Sequence, residues 1–121
     1  MVWLYVTFVR IKSRILKKKL WYISGEVSND PDFRKKFNQT EKDLRKHGIL
    51  VLNPVKYERN GKDWVWYLKR DVRKLSYCDG IILLYGWANS RGAMVEYSLA
   101  IKLKLRTISI SNVKEALRET K

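Results

Sequence analysis

The chain has 121 residues, 45% of them apolar and 12% aromatic, and a formal net charge of +14. That length and apolar content describe one domain with a single hydrophobic core and exclude an intrinsically disordered chain. One cysteine, Cys78, and one histidine, His47, exclude a disulfide framework and a Cys/His zinc cluster, and a lone thiol suits a reducing, cytoplasmic setting.

The positive charge begins at once. Residues 1–20 carry Arg10, Lys12, Arg14, Lys17, Lys18 and Lys19 and no acid, and the remainder is still basic. Such a field draws phosphates, whether on nucleotides, nucleic acid or membrane surfaces, without choosing among them. The apolar run Val2–Val9 is far shorter than the roughly 20 residues a membrane span requires. Positive charge follows that run instead of preceding it, so a signal peptide is not expected. Residues 1–19 read as a basic N-terminal extension, an added strand or helix. The alternatives are a basic membrane-surface segment or a product of start-site choice. An α/β domain is expected over residues 20–121.

"LWYIS" (20–24) predicts a buried strand ending at Gly25. Asp30 as N-cap and Pro31 in the first helical position then predict a helix. Phe33, Phe37 and Leu44 form its apolar stripe, and it ends near His47-Gly48. "ILVLN" (49–53) is the second strand, stopped by Pro54. A polar loop with an Asn60-Gly61 turn follows. Asp63 can cap a second helix with Trp64, Leu68, Val72 and Leu75 inward, which makes Trp64 and Leu68 core and Trp66 surface. "GIILLYG" (80–86) is apolar throughout, as a strand covered on both faces should be. The loop 87–91 leads to a helix at about 92–104. "RTISI" (106–110) is a fourth strand, and Asn112 is placed to cap a short terminal helix.

Strands alternating with helices predict an α/β fold, an open parallel sheet with right-handed crossovers in a flavodoxin/Rossmann-like three-layer sandwich. Ligands of such sheets bind beyond the C-terminal strand ends, where strand order reverses. The loops Ser24–Asn29 and Gly86–Arg91 should share that rim.

Glu96 is the oddity. It aligns with Gly92, Ala93, Leu99, Ala100 and Leu103, the face that should be buried. One reading makes it a nucleophile or base looking into the rim crevice, kept ionised by the positive helix end. The other makes it an acid at the edge of the apolar face, solvated or paired with a lysine. Tyr22 is either core or a rim hydroxyl. Asp71 and Asp79 read equally as plain helix and loop acids, Asp79 in a turn. "SRG" (90–92) offers a hydroxyl, a guanidinium and free N–H groups at a helix start, a common way to hold phosphate. The segment "DWVWYLK" offers aromatic faces for stacking bases, though its helical spacing equally fits packing. No Walker A, GxGxxG or Ser-His-Asp pattern is present, and neither a metal site nor a cofactor is expected.

Taken in order, "YISG", the "F…L…G" helix, "NP", "W…D…L", "CDGIILLYGW" and "SRGAMVE" resemble the nucleoside 2-deoxyribosyltransferase-like superfamily, in a small phage and bacterial branch of unassigned function. The resemblance covers about residues 20–110. It implies that Glu96 attacks the anomeric carbon of a deoxyribonucleoside, that Tyr22 orients it, and that Asp71 handles the base. It places Ser24, Gly25, Asp79, Gly86, Trp87, Ser90, Arg91 and Gly92 around the substrate. Transferases of free nucleosides carry an aspartate where this chain has Ser90. A serine there resembles the 2′-deoxynucleoside 5′-phosphate N-hydrolases, which hold phosphate with it, and Arg91 beside it fits that preference. The family also implies a homo-oligomer, dimer or larger, whose neighbouring subunit completes the pocket. Three function classes follow: an N-glycosidase or deoxyribosyltransferase, a non-catalytic nucleotide-binding protein, and a basic nucleic-acid-binding protein.

Overall fold

In a computed structural model of the chain, residues 2–58, 60–113 and 118 are described. They form α1 (Val2–Leu16), β1 (Leu20–Ser24), α2 (Phe33–Lys46), β2 (Leu50–Leu52), α3 (Trp64–Leu75), β3 (Gly80–Leu83), α4 (Arg91–Lys102) and β4 (Arg106–Ser109), with short 3₁₀ turns at Trp87–Asn89 and Ile110–Asn112. The strands make one all-parallel sheet in the order β2-β1-β3-β4. Register sets Tyr22 opposite Leu52 and Ile81, and Ser24 opposite Leu83.

Alternation along β1 divides the core in two. Trp21 and Ile23 face α2, packing with Phe37, Leu44, Val51, Ile82 and Ile108. Leu20 and Tyr22 face the opposite layer, with Leu50, Leu52, Leu75, Ile81, Leu83 and Ala100, and with Val6 and Val9 of α1. The molecule is therefore the expected three-layer α/β sandwich, with α2 on one face and α1, α3 and α4 on the other. Residues 2–16 are helical and add to the same core as the sheet. The chain moves outward from β1 to β2, returns past β1 to β3, and continues to β4, so strand order reverses between β1 and β3. Gly80 opens β3 because a Cβ there would meet the Trp21 ring at 2.5 Å.

Local starts and stops follow capping chemistry with one correction. Asp63 caps α3 as expected, its Oδ1 accepting from the Trp66 N–H at 2.8 Å. Asp30 does not cap α2, and Pro31 lies before the helix rather than in it. The Asp30 carboxylate instead accepts from the Asp32 N–H at 2.9 Å and pairs with Lys36 at 2.7 Å. That closes a turn which delays the helix to Phe33. The terminal helix expected after Asn112 lies almost entirely outside the described residues. Among the described residues, no helix is long and apolar enough to cross a membrane.

Candidate functional site

At the C-terminal edge of β1, alternation points Tyr22 and Ser24 to the same side, toward α4. Ser90 starts α4 with extended backbone, and its Oγ accepts from the Ala93 N–H at 3.2 Å. Ala93 and Ala100, one turn before and after Glu96 on that face, are both buried. Small side chains there let the helix lie close to the sheet, and Glu96 enters the gap between them. Its carboxylate is 6% exposed. The Tyr22 hydroxyl donates to Oε2 and the Ser24 hydroxyl donates to Oε1 at 2.7 Å.

This arrangement revises one electrostatic expectation. The positive end of α4 does not control Glu96, since a helix terminus acts mainly within its first turn. Burial dominates and pushes the carboxyl up to about 7 from 4.5, against the lowering effect of the Tyr22 and Ser24 bonds and of Lys74. Burial, with the charges of Asp71 and Glu96, also raises Tyr22 well above its usual value, so its proton stays on the phenol.

Glu96 lies in the wall of a cavity of about 440 Å³. Gly25 and Ser28 after β1, Pro54 and Glu58 after β2, Trp64, Leu68 and Asp71 of α3, and Ser90, Gly92 and Ala93 of α4 also line it. Asp71 sits one turn from both Leu68 and Leu75, which turns it inward. Burial and the Glu96 charge raise its carboxyl well above the ordinary range, and Lys74 and Arg70 oppose them. Asp71 therefore keeps its proton more readily than an exposed acid.

Of the expected site residues, Glu96, Tyr22, Ser24, Asp71, Gly25, Ser90 and Gly92 meet at or beside this cavity. Tyr22 and Ser24 stand behind Glu96 without lining the cavity, and the other four lie away from it. Asp79 is at the opposite, N-terminal edge of the sheet, where its Oδ2 accepts from the Leu20 N–H at 2.8 Å and its own N–H donates to the Leu20 carbonyl. Its work there is to pin the start of β1 to the start of β3. The Trp87 ring turns away to pack 4.8 Å from that of Tyr97. Gly86 supplies the left-handed turn (φ 83°) that leaves β3. The Arg91 guanidinium lies outward over the Trp64 ring, 4.6 Å from its centroid.

Trp64, expected in the core, is 36% exposed and forms the cavity lip. Trp66, expected on the surface, is half-buried, with Arg70 over its ring at 4.7 Å.

Sequence reasoning missed Lys74 and Glu58. Lys74 is 1% exposed, donates to the Pro54 carbonyl at 2.7 Å and pairs with Glu58. A lysine three residues after Asp71, beside Leu75 in the inward stripe, was the available signal. Glu58 lies in an irregular loop, where no periodicity assigns a direction. Among the described residues, no group of three His, Cys, Asp or Glu side chains is placed to hold a metal ion.

Comparison with known proteins agrees with this architecture. No curated protein matches the chain by sequence. Among the solved structures that match it in fold are two transferases. One is the 2-desoxiribosyltransferase from Leishmania mexicana, at 20% identity and TM-score 0.58, over 75% of this chain and 63% of that one. The other is the 2-deoxyribosyltransferase from the psychrotolerant bacterium Bacillus psychrosaccharolyticus, at 18% identity and TM-score 0.58, over 74% of this chain and 70% of that one. The chain thus spans less than two thirds of the Leishmania protein, and what the two share with it is the nucleoside 2-deoxyribosyltransferase-like fold. Residues 19–109 match the domain of unknown function DUF4406, and the chain belongs to that family.

Proposed function

We propose that this domain cleaves the bond between base and deoxyribose in a deoxynucleoside or deoxynucleotide, with Glu96 as nucleophile. One observation carries the reading: both oxygens of a buried carboxylate are held by hydroxyl donors, Tyr22 and Ser24, in the wall of a cavity large enough for a nucleotide. A merely structural acid gains little from such a place, because burying its charge opposes folding.

The chemistry follows glycosidase logic. A Glu96 oxygen bonds to the anomeric carbon as the glycosidic C–N bond breaks. The electron pair leaves with the base, and the proton held by Asp71 passes to it so that it departs neutral. Water, or a second base, then attacks the same carbon and displaces Glu96. The Ser90 hydroxyl has one lone pair engaged by the Ala93 N–H and its proton free to donate. With the N–H groups that open α4, it suits a 5′-phosphate, which an aspartate would repel. The basic surface favours the same ligand.

The homo-oligomer expectation has support in an apolar groove between α3 and α4, lined by Val72, Met94, Val95 and Leu99. We read it as a face covered by a second copy. A monomer by sedimentation velocity at tens of micromolar would remove that part of the reading.

The reaction is tested by incubating the protein with the deoxynucleosides and their 5′-monophosphates and separating free base by chromatography. Base release is expected from at least one substrate, slowed about 10³-fold or more in Glu96→Ala. No release from any substrate, or equal release by the variant, overturns the enzyme. Calorimetric binding of ligand recovered intact would then favour a sensing or sequestering protein.

A further inference from the structure

We propose that Lys74 is a positioning residue for the chemistry at Glu96: its buried ammonium clamps the cavity-wall loop at Pro54 and Glu58 and supplies the fixed positive charge facing Asp71 and Glu96. This rests on the reaction proposed above and deepens it by naming the group that lets three acids share one cavity wall.

An unpaired ammonium in the interior is costly. Lys74 is paired from two elements. One N–H donates to the Pro54 carbonyl at 2.7 Å and another to Glu58 Oε1. Asp71 Oδ1, one turn back on α3, lies 3.9 Å away. Both Pro54 and Glu58 belong to the loop after β2, so a single side chain ties that loop to the helix bearing Asp71. The loop also lines the cavity through Val55, Asn60, Gly61 and Lys62.

Charge accounting points the same way. Glu58, Asp71 and Glu96 all line this cavity. Lys74 and Arg70 approach them from α3, and the neutral Tyr22 phenol from β1. Arg34 of α2 and Lys62 also line the cavity, but Lys62 is exposed and the Arg34 guanidinium is engaged by the Val55 carbonyl and the Asn60 side chain. Arg70 reaches Glu58 at 3.5 Å but is about a quarter exposed, so solvent screens it. Three carboxylates lining one cavity repel one another, and a fixed cation among them favours their ionised forms. Lys74 is placed to be that cation, and its charge lowers both Asp71 and Glu96 against the upward push of burial. Glu58 Oε2 is buried without a hydrogen-bond partner among the described residues, which leaves Lys74 and Arg70 as its compensation.

The test reads Glu96 directly. Infrared titration of the substrate-free protein with ¹³C-labelled glutamate follows the carboxylate band, assigned to Glu96 by its loss in Glu96→Gln. In Lys74→Met the Glu96 midpoint should move upward by about one pH unit, a tenfold change in proton affinity. Lys74→Arg, which keeps the charge and two donors, should move it back. If Lys74→Met does not fold, Lys74→Gln removes the charge while keeping an N–H donor beside the Pro54 carbonyl, and the same upward shift is expected. A midpoint unchanged in whichever of these uncharged variants folds overturns the proposal.

Activity supplies the second reading. The acidic limb of base release should shift in parallel with the infrared midpoint. A shifted infrared midpoint in Lys74→Met, with a wild type that releases no base, overturns the reaction, and with it the positioning role. Base release with no infrared shift overturns the role of Lys74 alone.

Discussion

Helices α1 and α4 pack on the same face of the sheet and treat their side chains in opposite ways. α4 buries the carboxylate of Glu96 between Ala93 and Ala100, while α1 leaves Leu4, Phe8, Ile11 and Ile15 each more than half exposed. A rule that apolar side chains go in and charges go out would misplace both sets. Position relative to the strand ends explains the difference. α4 begins where strand order reverses, so its second turn looks into the space between diverging loops. α1 lies over β1 and β2; it gives Val6 and Val9 to the sheet and has no described layer outside it.

The largest expected effect tests whether the buried acid opposes the fold. An acid raised to about 7 in the folded state, against 4.5 unfolded, contributes stability that is fully present below pH 4.5 and lost as pH rises through 7. The loss is on the order of 3 kcal/mol. Glu96→Gln has no such dependence. It should therefore match the wild type in urea unfolding below pH 4.5 and exceed it above pH 7 by up to about 3 kcal/mol. A variant less stable than the wild type at high pH would make Glu96 a structural acid, and the contrast with α1 would lose its meaning.

How much of this was legible in the sequence depends on whether a residue sits in a periodic element. β1 and α4 carry their directions in their spacing, so Tyr22 and Ser24 fall on one face of β1 and Glu96 on the inward face of α4; spacing left Tyr22 as core or rim, and the family resemblance brought it to Glu96. The order of strands and helices gave the parallel sheet for the same reason. Asp79 was misassigned because adjacency along the chain does not say which end of a strand a residue occupies. It precedes β3, and the cavity lies beyond the far end. Helical spacing predicts Trp64 in the core, but it opens the first turn of α3 and stands at the cavity lip, 36% exposed. Glu58 and its clamp to Lys74 depend on a loop fold that no local pattern encodes. Residues 1–19 read equally as an added strand or helix; the structure makes residues 2–16 a helix whose Leu4, Phe8, Ile11 and Ile15 stand on an open side.

Smaller effects separate the two sides of α1. Val9 is 1% exposed, and Val9→Ala removes two buried methyl groups, a loss of about 2 kcal/mol in urea unfolding. Phe8, its neighbour in sequence, is 61% exposed, and Phe8→Ser should change stability by less than about 0.5 kcal/mol. The pair sharpens the comparison because it holds the helix constant and changes only the side that is touched. If Phe8→Ser proved as costly as Val9→Ala, the open side of α1 would be covered in solution. A concentration dependence of the unfolding midpoint that Phe8→Ser abolishes would then identify a second copy of the chain as the cover of α1. A small cost with the concentration dependence unchanged leaves α1 as a helix that closes one face of the sheet and asks nothing of its outer stripe.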